Sequence, residues 1–225
     1  MRELLLVGAG GLAREALAVV RRLDRHDEVS VLDDDPRTWG RRIGAGAGAG
    51  MGAVVVGGIE EVVDRPDADL VICIGSGTGR RRVADRLADL GVTDDRYATI
   101  LHPSVDVPPG CTVGPGSILL AQVVLTADVL VRRHVVLMPH VTLTHDCRVG
   151  DLATLCAGVT LGGSVLVGDG AYLGMGATVR ERLVVGAGAT VGMGAVVLGD
   201  VPAGEVWAGV PARRLEVPTL TGAHR

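Results

Sequence analysis

The sequence predicts a chain of two parts, α/β plus β: a small parallel-sheet unit over residues 1–98, then a parallel β-helix of hexapeptide repeats over residues 99–225. Three observations carry this reading. Short apolar runs alternate with amphipathic stretches through the first part. From Leu101 to Val197 a Leu or Val stands at every sixth position, 17 times without interruption. At Pro202 the repeat stops, leaving a tail, VPAGEVWAGVPARRLEVP, to close the end.

In the first part, ELLLV reads as a buried strand entering the glycine turn GAGG, and LAREALAVVRRL follows with the spacing of an amphipathic helix. EVSVLDDD predicts a second strand, GGIEEVVDR a short helix, DLVICIGSG a third strand and TGRRRVADRLADLG a second long helix. Strand and helix in alternation make a small parallel sheet, because each helix carries the chain back to where the next strand must start. The Gly-Ala run at residues 43–58 offers little to pack, and predicts a mobile surface loop.

In the second part neither the helical period nor the strand period yields a six-residue spacing. A hexad is one short strand plus a turn, and three hexads close a triangular coil of about 18 residues. The unbroken Leu/Val column fills the interior. Gly often follows it directly, as at Gly114, Gly150, Gly162, Gly168, Gly174, Gly186 and Gly192, and is expected there to permit tight corners. The last coil needs a cap, which the tail supplies.

Composition narrows the partners. A hydrophobic content of 48% supports a proper core, and a net charge of −4 gives no basic footprint for nucleic acid or an anionic membrane surface. Small molecules are the expected ligands. No apolar run approaches the roughly 20 residues that cross a bilayer, and the N-terminal stretch is too short and Gly-broken for a secretory leader. The four cysteines form no C-x-x-C pair and suit a reducing compartment, so a cytoplasmic location is expected.

Six segments carry a narrower resemblance: VGAGGLARE, VLDDD, VICIGSG, ATILHPS, THDCRVGD and WAGVPARRL. Together they resemble the NeuD/PglD-type sugar O- and N-acetyltransferases of the hexapeptide acyltransferase superfamily. The resemblance implies a left-handed β-helix, a Rossmann-like N-terminal domain for a sugar or nucleotide-linked sugar, acetyl-CoA as co-substrate and a homotrimer. It places the acceptor near Gly10, Gly11, Leu12 and Met138, where Leu12 and Met138 stand in place of a family His and Asn. It places acetyl-CoA near Thr154, where some members have a His.

The residues themselves leave His145 either a general base or a solvated turn histidine, since the third position of a hexad points outward, and the resemblance favours the base. A neutral imidazole suits proton removal from an attacking amine or hydroxyl at neutral pH, and Asp146 is placed to orient it. One coil away on either side stand Ala127 and Gly163, whose small size predicts room for substrate. Asp33 and Asp34 end the second strand, where a carboxylate can accept from ribose or base, and Gly75 and Ser76 follow the third. Gly163, Met175, Gly176, Gly194, Gly209 and Arg213 are candidates to line a pantetheine groove, with the arginine toward CoA phosphates.

Two other readings belong beside this one. His140 and His145 have the His-x4-His spacing of γ-type carbonic anhydrases, but a catalytic zinc needs three protein ligands and Ser104 stands where the third would be. No metal is expected. An acceptor outside the sugars, such as an amine or hydroxyl of a specialised metabolite, fits the same base.

Overall fold

The computed structural model describes residues 3–44 and 52–216. In the N-terminal unit, β1 (Glu3–Val7), β2 (Glu28–Leu32), β3 (Arg42–Ile43), β4 (Ala53–Gly57) and β5 (Asp69–Ile72) form one sheet in the order β3-β4-β2-β1-β5. All pairs are parallel except β3 with β4. The chain runs outward from β1 through β2 to β4, then returns to place β5 on the other side of β1. The switch point therefore lies at the carboxyl ends of β1 and β5, where open α/β sheets bind ligands.

Helix α1 (Gly11–Leu23) covers one side of this sheet and α2 (Gly77–Asp89) the other. The expected loop at residues 43–58 is corrected in part. Val54 and Val55 pair with Ser30 and Val31, so Ala53–Gly57 is a strand, β4. Its valines gain a partner strand, a long-range benefit that local composition does not reveal. Residues 45–51 of that run lie outside the described residues.

From Ile100 the chain winds through three stacked sheets. One face holds Ile118–Leu119, Val136–Leu137, Thr154–Leu155, Tyr172–Leu173 and Thr190–Val191 in a ladder that begins at Ile100–Leu101. A second face holds Val124–Leu125, Thr142–Leu143, Thr160–Leu161, Thr178–Val179 and Val196–Val197, and a third Thr112–Val113 through Val184–Val185. Cα partners are 18 residues apart throughout, as in Leu137 with Leu155. This is the left-handed β-helix. Its interior holds the Leu/Val column together with the fifth position of each hexad, Val141, Cys147, Ala153 and Val159 among them, each fully buried.

The glycines work differently from the expectation. The left-handed corner residue is the fourth of the hexad, where Gln122, Asp128, His134, His140, Asp146, Leu152, Ser164 and Arg182 all have φ between 53 and 62°. The glycines that follow the Leu/Val column have no such φ. They are small because the next coil lies against them: a Cβ on Gly174 would stand 2.6 Å from the Met193 backbone nitrogen. At the end of the coils Val206–Ala208 pairs with the Thr190–Val191 strand and Arg213–Arg214 folds back antiparallel.

The two parts share a core. Leu12, Ala13, Ala16 and Leu17 of α1 pack with Ile100, Ile118, Leu120 and Val136 of the first β-helix face. Arg80 of α2 pins the joint. It is fully buried, and its guanidinium donates to the carbonyls of Ile74, Gly75, His134, Leu152 and Ala153 and to Thr154 Oγ1, at 2.7 to 3.0 Å.

Candidate active site

His145 sits at the corner between the second and third faces, on a turn whose next residue, Asp146, takes the left-handed conformation at φ 61°. That turn folds the carboxylate back, so that His145 Nδ1 donates to Asp146 Oδ2 at 2.7 Å. With Nδ1–H so engaged, Nε2 carries the free lone pair, the tautomer a general base needs. The ring lies against Gly163 of the next coil, where any Cβ would collide with Nε2 and Cε1. Gly163 thus does not leave room for substrate, as its size suggested; the imidazole itself fills that room. Both side chains stay exposed in the single chain, at 64% for His145 and 58% for Asp146.

A cavity of about 690 Å³ opens where the switch point of the sheet meets the first β-helix face. It brings together Gly11 and Leu12 from the glycine turn, Gly75 and Ser76 from the end of β5, and Met138, Thr154, Cys156, Tyr172 and Thr190 from the β-helix. The polar groups at its wall are mostly hydroxyls. Ser76 caps α2 by accepting from Gly79 N, and the Cys156 thiol donates to Tyr172 OH at 3.1 Å. That thiol contact and partial burial both raise the Tyr172 pKa. Leu12 is only 8% exposed and belongs mainly to the joint between the two parts. Thr154, expected at acetyl-CoA, spends its hydroxyl on that joint too, donating to Gly75 O while accepting from Arg80.

On the other side of the glycine turn lies a second cavity, of about 520 Å³, lined by Ala9, Arg14, Thr38, Arg41, Arg42 and Val55. Its rim is cationic. The acidic pair beside it is committed to holding loops. Asp33 accepts from Ala9 N and Asp35 N, and Asp34 accepts from Ile59 N and pairs with Arg86 at 2.5 Å. Gly10, just before α1, has open space where a side chain would stand.

The groove residues are spread around the β-helix. Met175, Gly176 and Gly194 lie on the corner between the first and second faces; Met175 is 54% exposed, and open space surrounds both glycines. Gly163 lies on the next corner. Between these corners run the outward threonines Thr142, Thr160 and Thr178, a flat face of small side chains. Gly209 and Arg213 belong to the closing turn, where the Arg213 guanidinium donates to Ala212 O. His140 is exposed at its corner, and His102 is tied to Arg22 and Ser104. Among the described residues no three His, Cys, Asp or Glu side chains converge so as to hold a metal ion.

Sequence reasoning missed Arg14, Glu15 and Arg80. All three sit in charged stretches that read as solvated helix faces, and only the packing of α1 and α2 shows which members turn toward a cavity or the joint. No described helix is long and apolar enough to cross a membrane.

No protein-family model matches the chain, and no curated protein matches it in sequence. Solved structures do. The acetyltransferase domain of PglB from Neisseria gonorrhoeae is 29% identical with a TM-score of 0.83, covering 96% of this chain and 100% of that one. The same domain in complex with acetyl coenzyme A matches at 28% identity and a TM-score of 0.81, over 95% and 99% of the two chains. A histidine-to-alanine variant of GDP-perosamine N-acetyl transferase from Caulobacter crescentus, in complex with CoA and GDP-perosamine, matches at 27% identity and a TM-score of 0.82, over 96% and 97%. The present chain shares with these proteins both its parts and the way they are joined.

Proposed function

We propose that the chain is an acetyl-CoA-dependent N-acetyltransferase whose acceptor is a nucleotide-linked amino sugar, with His145 as general base. The observation that carries this is the His145–Asp146 pair, oriented by a corner turn and seated on Gly163 so that one imidazole nitrogen is free. As the acceptor amine attacks the thioester carbon, the new C–N bond forms and the amine proton passes to Nε2. Asp146 stabilises the imidazolium through Nδ1–H. The C–S bond then breaks, and the imidazolium returns the proton to the departing CoA sulfur. No acyl-enzyme is needed, because one ternary complex accounts for both bonds.

Two features support the choice of ligands. The similar structures hold acetyl coenzyme A, or CoA with GDP-perosamine. In this chain the cationic cavity with Arg14, Arg41 and Arg42 suits a diphosphate, and the cavity beyond the glycine turn suits the sugar. The pantetheine arm would lie along the threonine face between Met175 and Gly163, ending beside His145.

The acceptor cavity and His145 lie on different sides of one β-helix. The N-terminal unit covers the first face, and His145 occupies the corner opposite that face. A second copy must therefore bring its His145 to the cavity, which favours the homotrimer expected from the resemblance.

The test is His145→Ala. It is expected to lower kcat by about 10²- to 10⁴-fold, the usual share of a general base, while sedimentation and acetyl-CoA binding stay as in the wild type. A folded variant that releases CoA thiol at the wild-type rate overturns the assignment.

A further inference from the structure

We infer that Glu15 selects an amine-bearing acceptor by holding its ammonium group; this rests on the acetyl-transfer reading above. Of the side chains lining the 690 Å³ cavity, Glu15 alone carries a formal charge at neutral pH, the rest being apolar residues, glycines, hydroxyls and one thiol. Glu15 makes no hydrogen bond or ion pair among the described residues. Glu15 is solvent-exposed at the edge of this cavity, and an unpaired carboxylate there favours a cation over a neutral group of the same shape.

The neighbouring residue makes the case stronger. Arg14 precedes Glu15 on the first turns of α1, yet it lines the cationic cavity on the other side of the glycine turn, with Arg41 and Arg42. Its guanidinium reaches back to 3.9 Å from where a Gly11 side chain would begin. Both residues also line a third cavity, of about 500 Å³, together with Arg21, Arg22 and His102, but of the two only Arg14 lines the cationic cavity and only Glu15 the 690 Å³ one. A ligand that is anionic at a diphosphate and cationic at a sugar amine matches both; a hydroxyl sugar matches only the first. Leu12 explains why the task falls to Glu15. Leu12 is turned into the joint between the two parts, and the next helix position on that side, three residues on, is Glu15.

The carboxylate holds the acceptor in its charged form; the extra proton of the ammonium passes to solvent before attack, and the neutral amine then gives its N–H proton to His145 as above. Glu15 is accordingly a specificity residue, and the base remains His145. The test compares wild type, Glu15→Gln and Glu15→Asp. Calorimetric binding and steady-state transfer are measured with GDP-perosamine, with UDP- and dTDP-linked 4-amino sugars, and with the matching 4-hydroxyl sugars. The expected result is an amine preference in the wild type that Glu15→Gln lowers by about 10- to 100-fold, the range for one charged hydrogen bond. The loss falls on the acceptor KM with the acetyl-CoA KM unchanged, and Glu15→Asp recovers part of it. A Glu15→Gln protein that transfers acetyl groups with the wild-type amine preference overturns the Glu15 assignment alone. A wild type that binds amines over hydroxyls, a preference lost in Glu15→Gln, but that transfers nothing overturns the acetyl-transfer reading and leaves Glu15 assigned. A wild type that binds none of the sugars overturns both.

Discussion

Two histidines, eleven positions apart, show how context divides one side chain into two roles. His145 is exposed and hydrogen-bonded to Asp146, the setting that the proposed base role needs. His134 is 3% exposed, with neither ring nitrogen hydrogen-bonded among the described residues, and stands edge-on to Tyr97 at 4.5 Å between ring centroids. Burial, with Arg133 and Arg80 nearby, pushes its pKa down to about 4, against the weaker opposite pull of Asp94 and Asp151. The unfolded chain therefore binds a proton near pH 6.5 that the native state refuses until about pH 4. Stability from this residue is complete above about pH 6.5 and is lost as the pH falls toward 4, by at most about 3 kcal/mol. His134→Asn, which tolerates the left-handed backbone at φ 54°, should flatten that part of a denaturation curve followed against pH. His145 was legible as a candidate base from its small neighbours one coil away and from the family resemblance. The burial of His134 was not, since Tyr97 and Arg80, the side chains that enclose it, come from the other part of the chain.

At the scale of the coil, the hexad does two jobs that the sequence presents as one. The Leu/Val column and the small fifth position fill the interior, and this was readable because the period is strict. The glycine after the column looked like a corner residue, yet the corner falls two positions later, where even His140 and Asp146 accept positive φ. What demands glycine is the approach of the next coil. Gly174→Ala should lower stability by about 1–3 kcal/mol, as overpacking does, because its Cβ would meet Met193 N at 2.6 Å and Gly192 C at 2.9 Å. Gly176→Ala, with open space at its Cβ but φ 68°, should also destabilise, through backbone strain alone. Urea unfolding separates the causes: Asn, which tolerates the left-handed backbone, should recover part of the loss at Gly176 but none at Gly174, where the obstructing atoms are backbone. The strand Ala53–Gly57 teaches the converse, since its valines were visible but the partner that makes them a strand was not.

For the whole molecule, the decisive feature is the joint between the parts. Arg80 keeps its charge there even though burial lowers its pKa to about 10, and it satisfies five backbone carbonyls and Thr154 at once. Arg80→Met leaves those buried acceptors short of donors and should cost about 3 kcal/mol or more. Hydrogen exchange should report the loss first around Leu152 to Thr154 and Gly75, ahead of the distal coils; an even loss along the β-helix would speak against a local joint. By itself the sequence determined the two periods, and with them the parallel sheet and the β-helix with its coils of 18 residues. Each of these follows from local spacing, because a repeat states its own geometry every six residues. Only the tertiary structure decided which arginine of the run Arg80 to Arg82 is buried, that Glu15 reaches the cavity at the end of β5, and that Asp33 and Asp34 hold loops. Those outcomes depend on how two separately patterned parts dock, and docking is set by surfaces that meet across more than 50 residues of chain, as Arg80 and His134 do at a separation of 54.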